Sequence, residues 1–166
     1  PEYLRTPDTG GVHNFSEYGI QLGRRFRALK MWMLIRWFGA EGMAARIREH
    51  IRMAGEFTSW IDADPDWERL APVPFSTVCF RCRPASGGAP SPGSAEDDIA
   101  AHARLDALNE RIMEAVNRTG EVFLSHTRLR DRYTIRLTIG NPRTEMRHIE
   151  RCWTLLREAA ARAGAE

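Results

Sequence analysis

From residue 75 to the end, the apolar spacing changes in a set order, and that order restricts the fold more than any other feature of the sequence. Residues 75–83 (Phe-Ser-Thr-Val-Cys-Phe-Arg-Cys-Arg) put Val78, Phe80 and Cys82 on one face, the period-two pattern of a strand. Residues 101–117 carry Leu105, Leu108, Ile112 and Val116 at helical spacing, with Gly120 where a C-terminal cap belongs. Two strands are predicted next, at 122–126 and 132–139. In the second, Tyr133, Ile135, Leu137 and Ile139 alternate with Thr134, Arg136 and Thr138. Asn141-Pro142 closes it, and Thr144 is placed to cap a last helix striped by Met146, Ile149, Trp153 and Leu156. Strand, helix, strand, strand, helix is a small α+β unit, a mainly antiparallel sheet with helices on one face.

The upstream half has a different character. Residues 1–23 are rich in Gly, Pro, Thr, Asp and Asn without a period, as an extended or loop segment is. From Arg24 the period is helical, with Phe26, Leu29, Met33 and Trp37 on one face. Trp32, Leu34, Ile35 and Phe38 cover most of the rest, which predicts a helix buried on several sides. Gly39 and Gly42 should break or bend it. A second helix is expected over 41–61, striped by Ile47, Ile51, Ala54 and Phe57 or Thr58, and stopped by Asp62 to Pro65. Residues 84–98 are Pro/Gly/Ser/Ala-rich and end in Glu96-Asp97-Asp98, a composition that predicts a flexible inserted loop.

Composition removes several function classes. The chain has 166 residues, 43% of them hydrophobic and 28% charged, which is the balance of a globular domain. A net charge of +2 argues against nucleic acid as a partner, since the basic cluster Arg24, Arg25, Arg27, Lys30 and Arg36 is threaded with large apolar side chains. No stretch approaches the roughly 18 apolar residues of a membrane helix, and no secretory leader is visible at Pro1-Glu2-Tyr3-Leu4. Three cysteines do not make a disulfide framework, so a reducing cytoplasm is the expected compartment. Lys30 is the only lysine among 24 basic residues, a bias expected of a GC-rich bacterial genome. The absence of an initiator Met fits a piece of a longer chain or a processed product.

Two constellations and two single residues could carry chemistry. Cys79 and Cys82 have the CxxC spacing of zinc or redox sites, and His148 with Cys152 could complete a tetrahedral set. On a strand, however, positions three apart face opposite sides, and ordinary buried cysteines are the simpler reading. Ser125, His126 and Asp131 have the side chains of a hydrolase triad, but no nucleophile elbow surrounds them. His13, His50 and His102 have the contexts of solvated residues. Gly23, just before a helix, could bring a backbone N–H to a phosphate, though it equally permits a simple turn. Tyr3, an aromatic residue in a polar segment, could act as a proton donor if a loop closed it over a site.

Pro1-Glu2-Tyr3-Leu4 and the run from Leu22 to Trp32 (LGRRFRALKMW) closely resemble the group II pyridoxal-phosphate-dependent amino-acid decarboxylases, which include the aromatic L-amino-acid (DOPA) decarboxylases. The resemblance continues in Val78-Cys79-Phe80-Arg81, in residues 123–130 (FLSHTRLR) and in residues 136–145 (RLTIGNPRTE). It implies an α/β enzyme of fold-type I, built as a homodimer with pyridoxal 5'-phosphate at the subunit interface and an L-amino acid, more particularly an aromatic one, as its small-molecule substrate. Residues 1–38 would be the catalytic loop and tail of the large cofactor-binding domain, 39–74 connecting helices, and 75–166 the C-terminal small domain. Tyr3 would match the loop tyrosine that returns a proton to the substrate carbon after CO2 leaves. Gly23 would match a glycine whose backbone lies near the cofactor phosphate.

One departure stands out. The family's Schiff-base lysine and the aspartate that pairs with the pyridinium nitrogen belong to motifs that do not occur here, and Lys30 matches a non-catalytic position. The expectation is therefore part of a decarboxylase that is inactive by itself. Two other readings share the resemblance: a non-catalytic dimerisation or interaction module derived from such an enzyme, and an aromatic aldehyde synthase.

Overall fold

The computed structural model describes residues 26–84 and 95–164. The chain divides into two compact units, residues 1–41 and 42–166. Helix α1 (Arg27–Ala63) runs through the division and is broken at Gly39, whose φ of 67° and ψ of 174° lie outside the helical region. Only glycine adopts that conformation without strain. Of the two glycines expected to interrupt the helix, Gly39 does so, and Gly42 stays helical.

In the first unit the expectation of burial is overturned. Phe26 is 72% exposed and Trp37 82%, and Met31, Trp32, Met33 and Ile35 are also exposed. Apolar residues surround this helix, but among the described residues they have little to bury against.

In the second unit, the rest of α1 buries Met53, Ala54, Phe57 and Ile61. Ala54 and Phe57 of the expected stripe are buried, Ile51 is partly so, and Ile47 is half exposed. Strand β1 (Trp67–Arg69) follows, an element that the sequence reading absorbed into its connecting helices. Next come β2 (Thr77–Cys82), α2 (Ala95–Arg118), β3 (Ser125–Leu129), β4 (Arg132–Thr138) and α3 (Met146–Ala163). The sheet is antiparallel throughout, in the order β1-β2-β4-β3. The expected small α+β unit is present.

One face of the sheet holds the core. Val78 pairs with Leu137 and Phe80 with Ile135, and all four are buried. All three helices reach this face. Phe57 of α1 packs edge-on against Phe80 (5.2 Å between centroids) and against Trp153 of α3 (5.7 Å), and the Tyr133 hydroxyl meets the Met113 sulfur of α2 at 3.5 Å. Each fully buried side chain of this size contributes about 1.5–3 kcal/mol through removal from water.

Three boundaries differ from expectation, each for a local reason. Helix α2 begins at Ala95, so residues 95–98 are helical and not part of a loop; acidic residues are favoured at a helix N-terminus. Strand β3 begins at Ser125 because Asn117 claims Leu124 first: Asn117 Oδ1 accepts the Leu124 N–H (2.7 Å) and Nδ2 donates to its carbonyl (2.9 Å). The cap of α3 is Glu145 and not Thr144, with the Glu145 N–H donating to His148 Nδ1 at 3.0 Å. Gly120, at φ 72°, follows the end of α2 as expected.

Candidate functional site

The two residues to which the sequence assigns catalysis and cofactor binding, Tyr3 and Gly23, lie outside the described residues, as does His13. The other sequence candidates can be placed. Lys30 is exposed on α1. An exposed lysine on a helix lacks the desolvated surroundings that activate an amine towards an aldehyde cofactor. Arg36, two turns further on, lies over the Trp32 ring at 5.9 Å.

The thiol set does not assemble. Cys82 is on the core face of β2, while Cys79 is half-buried on the other face, beside Arg136 of β4. Cys152 is buried on α3, and His148 is engaged in the cap of that helix. Among the described residues no cluster of three or more His, Cys, Asp or Glu could hold a metal ion. Burial pushes the Cys82 and Cys152 thiols up to about 12, and for Cys82 the carboxylates of Asp66 and Asp64 add to it. Cys79 is also raised by burial, with Arg136 opposing. Cys82 and Cys152 are therefore inert thiols and not nucleophiles.

The hydrolase constellation also comes apart. His126 stacks on Tyr133 (4.8 Å, 11° between planes), whereas Ser125, its neighbour on β3, takes the opposite face by strand alternation. Asp131 sits with Arg130 in the two-residue turn joining β3 to β4, both at positive φ (62° and 51°). This is the geometry of a type I′ hairpin turn, and it accounts for Asp131 without chemistry. His50 is half-buried on α1 and His102 exposed on α2.

The sequence reading missed two polar groups that the fold depends on. Arg81 is only 2% exposed and pairs through Nε with Glu68, its cross-strand partner on β1; its Nη1 has no hydrogen-bond partner. Asn109, fully buried on α2, bonds the backbone of Cys82 and of Leu105. Asn109 interrupts an otherwise apolar helical stripe, and that interruption was the available signal. Arg81 gave none, because alternation placed it on the supposedly open face.

The described residues therefore form a scaffold: a helix rich in exposed apolar side chains, and a sheet domain whose polar groups serve structure. The model of the "Pyridoxal-dependent decarboxylase conserved domain" matches residues 1–83. Tyrosine decarboxylase 2 of Narcissus pseudonarcissus is 38% identical over 162 residues, covering 96% of this chain and 30% of that protein. Phenylacetaldehyde synthase of Arabidopsis thaliana is 34% identical, covering 97% of this chain and 31% of that protein. A crystal structure of Oryza sativa TDC with PLP and tryptamine superposes with a TM-score of 0.69 at 30% identity, covering 90% of this chain and 29% of that one. The chain thus spans about 30% of the length of these relatives.

Proposed function

The chain belongs to the pyridoxal-dependent decarboxylase family, and we propose on that ground that it is part of an enzyme converting an L-amino acid, more particularly an aromatic one, to its amine and CO2. The observation that carries this reading is 38% identity over 96% of the chain to a tyrosine decarboxylase. Pyridoxal phosphate supplies the electron sink when bound. The described residues do not fit that cofactor, since the only lysine stands exposed on a helix, so its anchoring belongs to upstream sequence.

Within this reading Tyr3 donates the proton that replaces CO2 on the substrate carbon, and Gly23 offers backbone to the cofactor phosphate. Residues 1–38 complete the large domain, 39–74 connect, and 75–166 form the small domain of a cytoplasmic homodimer. Three unpaired thiols support a reducing compartment, and no helix among the described residues is long and apolar enough to cross a membrane. Arginine-rich, lysine-poor composition supports a bacterial source, although the relatives named above are plant proteins.

The test is complementation. Expressed with the upstream segment that carries the lysine, the chain is expected to restore cofactor absorbance and release amine from an aromatic amino acid. Absence of both would overturn the reading. Tyr3→Phe is expected to lose amine formation or, with O2 as the oxidant, to divert it to aldehyde and ammonia with release of hydrogen peroxide. Unchanged amine release with none of these by-products would remove Tyr3 from the mechanism.

A further inference from the structure

We propose that the cleft between the C-terminal end of α1 and the outer face of α3 binds an organic cation, an ammonium group carried on a flat apolar body. The proposal concerns the second unit alone and does not rest on the decarboxylase reading. The cleft is a shallow, open groove with a volume of about 620 Å³. Trp60, Asp64 and Pro65 line one wall, and Glu150, Trp153 and Arg157 stand at i, i+3 and i+7 on α3.

The two indoles are fixed. Trp60 and Trp153 both pack edge-on against the buried ring of Phe57, at 6.2 and 5.7 Å, and Trp153 also meets Trp67 at 5.3 Å. Both remain half-buried beside the cleft, so apolar and π surface is offered on rigid supports.

The charges decide what such a surface accepts. Asp64 is committed: Oδ1 accepts the Asp66 N–H (3.1 Å), and Oδ2 faces the Arg157 guanidinium at 3.6 Å. Glu150 is exposed and has no ion-pair partner among the described residues; its carbonyl accepts the Thr154 hydroxyl at 3.0 Å, leaving the carboxylate free. With two carboxylates against one guanidinium that is already paired, the cleft favours a cation. Indole faces add cation–π attraction, worth a factor of about three at partly exposed sites.

The probe is benzyltrimethylammonium, titrated into the whole chain and followed through the indole N–H signals of its five tryptophans. Saturable shifts confined to two indoles are expected, one of them lost in Trp60→Leu. Glu150→Gln should weaken binding about threefold, the scale of an exposed ion pair, and 3-phenylpropionate, similar in body but anionic, should bind more weakly still. Should Trp60→Leu fail to fold, Glu150→Gln decides, because that side chain is exposed. Absence of saturation, equal binding of the anionic analogue, or indifference to Glu150→Gln would each overturn the proposal.

Discussion

Asn109 of α2 and Cys82 of β2 exchange two hydrogen bonds: the Cys82 N–H donates to Asn109 Oδ1 at 2.7 Å, and Asn109 Nδ2 donates to the Cys82 carbonyl at 2.8 Å. The pairing of β2 with β4 ends two residues earlier, at Phe80 and Ile135. A buried side-chain amide thus stands in for the missing strand. Asn109→Leu leaves both backbone groups buried and unpaired, at a cost of about 1–3 kcal/mol each. Urea unfolding should show a loss of roughly 2–6 kcal/mol, and a loss below about 0.5 kcal/mol would mean that water or a shift of β2 satisfies these groups.

The Arg81–Glu68 pair should respond asymmetrically. The Arg81 side chain is 3% exposed and that of Glu68 24%, so Glu68→Gln strands a buried guanidinium whereas Arg81→Met removes it. Breaking a buried pair from one side is costly, while replacing the buried charge by an apolar group is often neutral. Denaturation should rank Glu68→Gln as the more damaging change, by about 2 kcal/mol given the partial exposure of Glu68. The reverse order would show that Glu68 is not what compensates Arg81.

The hairpin turn leaves stability to be gained. Arg130 and Asp131 both hold positive φ, which costs residues with side chains about 1 kcal/mol or more. Replacing the pair by Asn-Gly, the preferred type I′ sequence, should stabilise the chain by about 1 kcal/mol. The contact of Arg128 Nη1 with the Asp131 carbonyl (3.0 Å) uses backbone and survives. A thermal melt that moved downward would show that the Asp131 side chain contributes more than its turn geometry.

The alternation of β4 and the period of α3 were legible because one face of each is buried against the same core: Tyr133, Ile135 and Leu137 on the strand, Ile149, Cys152 and Leu156 on the helix. β1 was not, since three residues, Trp67, Glu68 and Arg69, are too few to show a period, and their pairing depends on β2 from a distance in sequence. The start of β3 was misplaced because Val122 and Leu124 have strand-like spacing, yet Asn117 takes the backbone that a partner strand would need. The site was legible only by resemblance. Nothing about Tyr3 in isolation distinguishes a proton donor from an incidental tyrosine, because the chemistry lies in what surrounds it. The first helix misled for a related reason: apolar spacing shows that a surface is to be covered, but not that the covering residues lie on the same chain.

The thiols set a limit on alkaline stability. Cys82 and Cys152 are pushed from an ordinary 9.0 to about 12, so the folded state keeps protons that the unfolded state releases. Their contribution is complete below pH 9 and is lost as pH rises towards 12, by up to about 1.4 kcal/mol per pH unit for each thiol. Between pH 9 and 11 the unfolding free energy should fall less steeply in a Cys82→Ala, Cys152→Ala variant than in the parent. An aromatic disulfide reagent at pH 8 should reach Cys79 before either of the others in the folded chain. Equal labelling of all three would mean that the core opens.

The exposed apolar helix ties solution behaviour to the proposed function. Met33 and Trp37 are 54% and 82% exposed and share one face of α1. A contiguous patch of this kind marks an interface or an aggregation liability. If upstream sequence covers it in the complete enzyme, the chain alone should associate with rising concentration in sedimentation, and Met33→Glu with Trp37→Glu should suppress that association. The same double variant should lose complementation by the upstream segment, because two buried carboxylates would oppose docking. Suppressed association with complementation intact would show that this face meets only other copies of the isolated chain and plays no part in assembling the enzyme.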